Sequence, residues 1–105
     1  MTKSLLMIHG VGCGGEVWHR MQPGFEAAGW TCSTPTLFPE QRVRENPPAS
    51  LSDLGLDDYV KSMADTARLM ADETGAKPAV IGHSMGGLIA QCLVEQGLVS
   101  QAVFL

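Results

Sequence analysis

The sequence has few cysteines and no pattern typical of a metal site. Its three cysteines, Cys13, Cys32 and Cys92, are an odd number with wide spacing and no C-x-x-C pair. This spacing excludes a disulfide framework and a cysteine zinc site as the basis of the fold. The three histidines lack the helical i, i+4 pairing that metal sites use. We therefore predict no metal site.

Positive charge and long hydrophobic runs are also scarce. Seven Lys and Arg against eleven Asp and Glu give a formal net charge of −4, and the basic residues form no cluster. This balance argues against nucleic acid and anionic membrane surfaces as partners. The first apolar run, at residues 5–8, is too short for a signal-peptide core or a membrane span. We expect a cytoplasmic protein that acts on a small molecule.

What the sequence does contain is a globular composition with four short apolar runs. At 45% apolar and 17% charged residues, we interpret residues 1–105 as one domain. The runs lie at residues 5–8, 30–37, 79–81 and 102–105. Three are continuously apolar, which is typical of strands buried in a parallel sheet, whereas the mixed second run suits an edge strand.

Helical patterns lie between these runs. The first covers residues 21–29 and stops at Gly29, and the second starts at Leu56 and stops before Gly75. The third should begin just after Ser84 and run to about Gln96. Its expected inward residues are Leu88, Ile89, Cys92 and Leu93. The order β-α-β-α-β-α-β predicts an α/β fold, a parallel sheet of about four strands with helices on both faces.

One segment does not fit this alternation. Residues Phe38 to Leu56 are rich in Pro, Ser and charge, and they are long for a loop in a compact domain. Loops of this length are commonly binding rims or lids, but a solvated connector fits the sequence equally well.

The most informative motif is Gly82-His83-Ser84-Met85-Gly86, which lies between an apolar run and a helical pattern. A strand–Gly-x-Ser-x-Gly–helix unit holds its serine on a sharp, strained turn with the hydroxyl exposed, and a side chain at either glycine would collide there. The N–H of Met85 would point at an oxyanion formed on the serine. The motif predicts that Ser84 is a nucleophile.

A second glycine-rich loop follows the first strand. Gly10 comes directly after His9, and its lack of a side chain lets the backbone approach closely, so that the Val11 N–H is the natural second oxyanion donor. A competing interpretation is a dinucleotide-binding turn, because Gly10, Gly12 and Gly15 also satisfy G-x-G-x-x-G. That motif expects an acid about 20 residues on, and none occurs before Glu40. We predict no cofactor.

Taken together, several segments resemble the N-terminal portion of the serine α/β-hydrolase superfamily. The resemblance rests on "LLMIHGVGCGGEVW", "PGFEAAGW", "LDDYV", "AVIGHSMGG" and "QAVFL", and it is nearest to esterase-like members, including the methylesterase and hydroxynitrile-lyase branch. It implies that Ser84 is the nucleophile, that Val11 and Met85 provide the oxyanion hole, and that a small ester-type compound is the substrate.

The sequence departs from that family after the serine. The family's triad runs Ser, then Asp or Glu, then His along the chain. Here Glu95 is the only acid after Ser84, and no histidine follows. We expect a partial hydrolase domain whose acid and base lie outside this chain, weakly active or inactive alone. A non-catalytic α/β binding module remains the alternative. An exposed apolar strand at residues 102–105 would also permit self-association.

Overall fold

The computed structural model describes residues 3–10, 14–37 and 55–105. The proposed rim or lid falls almost entirely outside these ranges, since only its last two residues, Gly55 and Leu56, are described. The elements in chain order are β1 (Lys3–Ile8), a 3₁₀ helix (Gly15–Trp18), α1 (Gln22–Ala27), β2 (Trp30–Ser33), α2 (Leu56–Thr74), β3 (Ala79–Gly82), α3 (Met85–Glu95) and β4 (Ala102–Phe104). This order confirms the predicted alternation of strands and helices. The 3₁₀ helix is the element that the sequence patterns did not predict.

The strands form a four-stranded, wholly parallel sheet in the order β2-β1-β3-β4. The central strand β1 pairs Leu5 with Cys32 of β2 and with Ala79 of β3, and further along it pairs Ile8 with Gly82. The predicted parallel sheet is confirmed, with the mixed second strand at one edge. Because all strands run the same way, the segments after β1, β2 and β3 emerge at one edge of the sheet.

Alternate residues of the central strands face two separate apolar clusters. Leu6, Ile8 and Val80 pack against α2 and α3 on one face. The neighbouring residues, among them Met7 and Ile81, face a smaller cluster on the other side. That smaller cluster also contains Trp18 of the 3₁₀ helix and is flanked by Phe25 of α1 and by Trp30. Helices therefore cover both faces, as predicted.

One burial prediction was wrong. Leu88 is 49% exposed, because the inward stripe of α3 runs through Ile89 and Leu93, which are fully buried. Successive residues of an α-helix are rotated by about 100° around its axis. Leu88, one residue before Ile89, therefore lies beside the buried stripe and not within it. The last strand has the continuously apolar sequence that is typical of buried strands, but Val103 is 50% and Phe104 55% exposed, because β4 lies at an edge of the described sheet.

Helices α1 and α2 end at the glycines that the sequence predicts as their C-terminal stops. Gly75 takes a φ of 77° directly after α2, and Gly29 takes a φ of 94° after α1. Positive φ is accessible to glycine at little cost, so each helix ends where a glycine can turn the chain. None of the helices in the described ranges has the length and apolar character needed to cross a membrane.

Candidate active site

Ser84 lies on a sharp turn between β3 and α3. Its backbone has a φ of 57° and a ψ of −121°, and it is the only non-glycine residue with positive φ among the described residues. Such a conformation costs an L-residue on the order of 1–3 kcal/mol and persists only where the surrounding structure enforces it. The side chain is exposed. The turn has the geometry that the Gly-x-Ser-x-Gly motif predicts.

The two glycines of the motif are required by close backbone packing. A Cβ added at Gly82 would lie 2.1 Å from the carbonyl oxygen of Gly86, and one added at Gly86 would lie 2.2 Å from that of Ile8. Real Cβ atoms do not approach backbone oxygens so closely. The first turn of α3 therefore lies directly against β3 and β1, and no larger residue fits at either position.

Hydrogen bonds from the strands on both sides hold the turn in place. The N–H of His83 donates to the carbonyl of Ile8 at 3.1 Å, and the N–H of Ser84 donates to the carbonyl of Leu105 at 3.1 Å. Gly86 closes the turn by donating its N–H to the carbonyl of His83 at 2.9 Å. The strained residue is thus fixed between β1 and the end of β4.

The Met85 N–H is the first amide of α3. Within the described part of the chain it donates to no acceptor, as expected for an amide in the first turn of a helix. The N-terminus of a helix also carries a partial positive charge that favours anions. An oxygen that becomes negative next to Ser84 would find both a free donor and a favourable potential here.

The loop after β1 approaches the same turn. A Cβ added at Gly10 would lie 3.0 Å from the Cβ of Ser84 and 3.2 Å from the carbonyl oxygen of His83. The sheet therefore brings Gly10 and Ser84 together, although they lie 74 positions apart along the chain. The predicted second oxyanion donor, Val11, lies outside the described residues, so its N–H stays a prediction.

The His9 ring holds this loop in place through hydrogen bonds. The ring is fully buried, its Nε2 accepts the N–H of Leu37 at 2.8 Å, and its Nδ1 lies 2.8 Å from the carbonyl oxygen of Gly10. A ring nitrogen that accepts carries no proton, so we assign the neutral tautomer with Nδ1–H donating to Gly10. His9 therefore ties the glycine loop to the segment after β2. No sequence pattern predicts this hydrogen bond, because Leu37 lies 28 positions away along the chain.

The geometry of the glycine loop does not favour a dinucleotide. A pyrophosphate site needs free amides at the start of an α-helix after β1, but a four-residue 3₁₀ helix follows, and α1 begins only at Gln22. The Gly15 N–H donates to Thr36 Oγ1 at 2.9 Å, and a Cβ at Gly15 would lie 2.0 Å from the Thr34 carbonyl oxygen. Gly15 thus serves packing within the chain, whereas Gly12 lies outside the described residues.

The described ranges contain no group of three or more His, Cys, Asp or Glu residues placed to hold a metal ion. Two cavities occur away from the serine. One of about 290 Å³ lies between α2 and the end of α3, and one of about 140 Å³ lies on the opposite face of the sheet, beside Phe25 and Val103. Neither of these two cavities is lined by Ser84.

Comparison with known proteins places this fold and serine turn in a family. The model of the alpha/beta hydrolase family matches residues 5–105, nearly the whole chain. The chain belongs to the alpha/beta hydrolase family. A search of curated protein sequences found no match.

Solved structures agree with this assignment. A proposed non-heme bromoperoxidase from Mycobacterium tuberculosis is 31% identical, with a TM-score of 0.74 over 99% of this chain. Polyneuridine aldehyde esterase is 22% identical with a TM-score of 0.75, and a pyrethroid hydrolase from Sphingobium faniae is 20% identical with a TM-score of 0.72. At these lower identities the similarity shows the fold alone.

The similarity covers only part of each of those proteins. The chain spans 37% of the bromoperoxidase-like protein, 40% of polyneuridine aldehyde esterase and 39% of the pyrethroid hydrolase. This chain therefore matches well under half of each of the three structures.

Proposed function

We propose that this chain carries the nucleophile and the oxyanion hole of a cytoplasmic serine hydrolase that cleaves a small ester-type substrate. The observation that carries the proposal is the strained, exposed Ser84 on the first turn of α3, next to the free Met85 N–H and the close approach of Gly10. Strained backbone at an exposed nucleophilic side chain is typical of functional sites. An esterase among the structural neighbours agrees with the choice of substrate class.

In the proposed reaction the Oγ of Ser84 attacks the ester carbonyl carbon while its proton passes to a base. The carbonyl oxygen becomes an oxyanion, which the N–H groups of Met85 and Val11 stabilise. Collapse of this intermediate breaks the bond to the alcohol, which takes the proton and leaves an acyl-Ser84. Water then attacks the acyl group by the same steps and restores the serine. No cofactor is needed.

The acid and the base of this mechanism lie outside these 105 residues in our proposal. Glu95 is the only acid after Ser84, and it lies at the last residue of α3, about 15 Å along the helix from the serine turn at 1.5 Å per residue. By itself the chain should be weakly active or inactive, because an unassisted serine hydroxyl is a poor nucleophile.

Labelling with a fluorophosphonate probe tests the nucleophile without needing turnover. We expect Ser84 to be labelled at least ~10²-fold faster than the exposed Ser100, because one oxyanion donor alone is worth about that factor. Peptide mass spectrometry on a time course gives the rate at each serine. Ser84→Ala should abolish the fast labelling.

Ser100→Ala is the matched control, since it removes an exposed hydroxyl remote from the turn and should leave the labelling rate of Ser84 unchanged. Equal, slow labelling of both serines, or fast labelling that survives Ser84→Ala, would contradict the proposal. In that case the chain is better described as a non-catalytic α/β binding module.

A further inference from the structure

The two ring nitrogens of His9 act on two different parts of the molecule. Nε2 accepts the N–H of Leu37 at 2.8 Å, in the segment after β2, whereas Nδ1–H donates to the carbonyl oxygen of Gly10 at 2.8 Å. The first hydrogen bond joins two segments of the fold, and the second acts on a single peptide group next to the serine turn. Because the two bonds come from separate atoms, their contributions to the site can be measured separately.

Gly10 needs a group outside its own backbone to fix its orientation. Its close approach to Ser84 excludes a side chain, since an added Cβ would lie 3.0 Å from the Ser84 Cβ. Glycine, however, adopts more backbone conformations than other residues, so it does not by itself hold the next peptide group in one direction. Gly10 is buried, and buried carbonyl groups are nearly always hydrogen-bonded. The Nδ1–H of His9 supplies a donor for this carbonyl.

The same peptide group carries the predicted second oxyanion donor, because it consists of the carbonyl of Gly10 and the N–H of Val11. A peptide group is planar and almost always trans, so its N–H points opposite to its C=O. The His9 ring is fully buried, whereas the side chain of Ser84 is exposed. A ring that holds the carbonyl toward the interior is therefore expected to turn the N–H of the same group outward, toward the serine.

We propose that His9 is a positioning residue of the hydrolase site. Its Nδ1–H holds the Gly10 carbonyl so that the Val11 N–H faces the oxyanion, while its Nε2 holds the loop against the segment after β2 and has no part in the reaction. The ring itself does not touch the substrate. This role rests on the proposed function, because an oxyanion forms here only if Ser84 is the nucleophile.

The far end of the glycine loop is held by groups other than His9. The Gly15 N–H donates to Thr36 Oγ1 at 2.9 Å, and a Cβ at Gly15 would collide with the carbonyl oxygen of Thr34. The loop is thus attached to the segment after β2 by two independent hydrogen bonds, one near each end. A change at His9 leaves one attachment in place, and Thr36→Val is a control of similar shape that removes the other.

Two substitutions separate the ring nitrogens of His9. The amide nitrogen of Asn is bonded to Cγ, as Nδ1 is, so His9→Asn keeps a donor for Gly10 and loses the acceptor for Leu37. The amide oxygen of Gln reaches the position of Nε2, so His9→Gln keeps the acceptor and loses the donor. We expect fluorophosphonate labelling of Ser84 within ~3-fold of the wild-type rate for His9→Asn and at least ~10-fold slower for His9→Gln, because one oxyanion donor is worth about 10²–10³ in rate.

Urea unfolding distinguishes this result from a general loss of stability. Both His9 variants lose the packing of the ring, so both should unfold at a lower urea concentration than the wild type. A merely structural role would slow labelling in both, in the order of their instability. Thr36→Val should lower the unfolding midpoint and leave the labelling of Ser84 within ~3-fold of the wild type. Equal labelling rates for His9→Asn and His9→Gln would overturn the proposal, even if both are slow.

Nuclear magnetic resonance tests the geometry without relying on Ser84. The ring nitrogen shifts of wild-type His9 should show a proton on Nδ1 and none on Nε2. The carbonyl carbon shift of Gly10 should be retained in His9→Asn and should move in His9→Gln, which lacks the donor. A proton on Nε2 would overturn the proposal and leave the nucleophile assignment intact. Slow labelling of wild-type Ser84 together with the expected shifts would instead contradict the proposed function and confirm the hold on Gly10.

Discussion

Gly86 illustrates how tightly the serine turn is packed at the scale of one residue. A Cβ at this position would meet the carbonyl oxygens of Ile8 at 2.2 Å and His9 at 2.8 Å, and both belong to β1 or the residue after it. We expect Gly86→Ala to lower the free energy of unfolding by ~3 kcal/mol or to prevent folding, because the backbone of a central strand cannot move aside. Urea unfolding followed by circular dichroism measures the change.

Gly24→Ala is the matched control for this substitution. Gly24 lies in α1, and a Cβ there would meet no atom within 4 Å. Alanine is favoured over glycine inside a helix by roughly 0.5–1 kcal/mol, so this variant should be as stable as the wild type or slightly more so. Similar unfolding midpoints for the Gly86 and Gly24 variants would show that the turn is less closely packed than the structure indicates.

Single residues also show which features of the site could be predicted from the sequence and which could not. The roles of the motif glycines could be predicted, because a sharp turn between a strand and a helix has no space for side chains at these positions, whatever the rest of the fold. The bond between Leu37 and His9 could not, since it joins two segments that meet only after β1 and β2 pair. Buried histidines with both ring nitrogens engaged have no sequence signature.

At the scale of elements, α2 tests the role of charge at a helix end. The Asp58 carboxylate accepts the N–H of Gly55 at 2.9 Å in the first turn of α2. We expect Asp58→Ala to lower the free energy of unfolding by ~1 kcal/mol, because it removes both this hydrogen bond and a negative charge at the positive end of the helix. Urea unfolding measures the effect.

Asp72→Ala serves as the comparison, because Asp72 is exposed in the last turn of the same helix. A carboxylate there opposes the helix dipole, so its removal should be neutral or stabilising by ~0.3 kcal/mol. Opposite or clearly unequal effects of the two substitutions are expected. Equal losses would mean that the position of the charge does not matter.

The elements themselves were largely predictable. Residues Leu56–Thr74 form one helix because their apolar residues recur at steps of three and four, and Gly75 stops it. Burial was less predictable. The pattern of α3 is apolar nearly all round, so both Leu88 and Ile89 were expected to face inward, whereas only Ile89 does. A run such as "AVFL" looks the same at the centre and at the edge of a sheet, because its position depends on how other strands pair.

At the scale of the whole molecule, the candidate site depends on which strands are neighbours in the sheet. Ser84 and Gly10 meet because β1 and β3 are neighbours, and the Ser84 N–H reaches Leu105 because β4 is the next strand. The alternation of elements predicted a parallel sheet but not which strands would be adjacent. The two loops were expected to meet, both from the glycine that follows the first strand and from the family resemblance, but the adjacency of β1 and β3 could not be predicted from the pattern of residues.

The sheet order also predicts how protection against hydrogen exchange is distributed. The amides of β1 and β3 are paired on both sides and should exchange slowest. Along β4, Leu105 donates to Gly82 at 2.8 Å and should be protected, whereas the outward amides of Ala102 and Phe104 should exchange close to the rate of an unfolded chain in dilute solution. Residue-resolved exchange by nuclear magnetic resonance measures this alternation, and uniform rates along β4 would contradict the observed strand pairing.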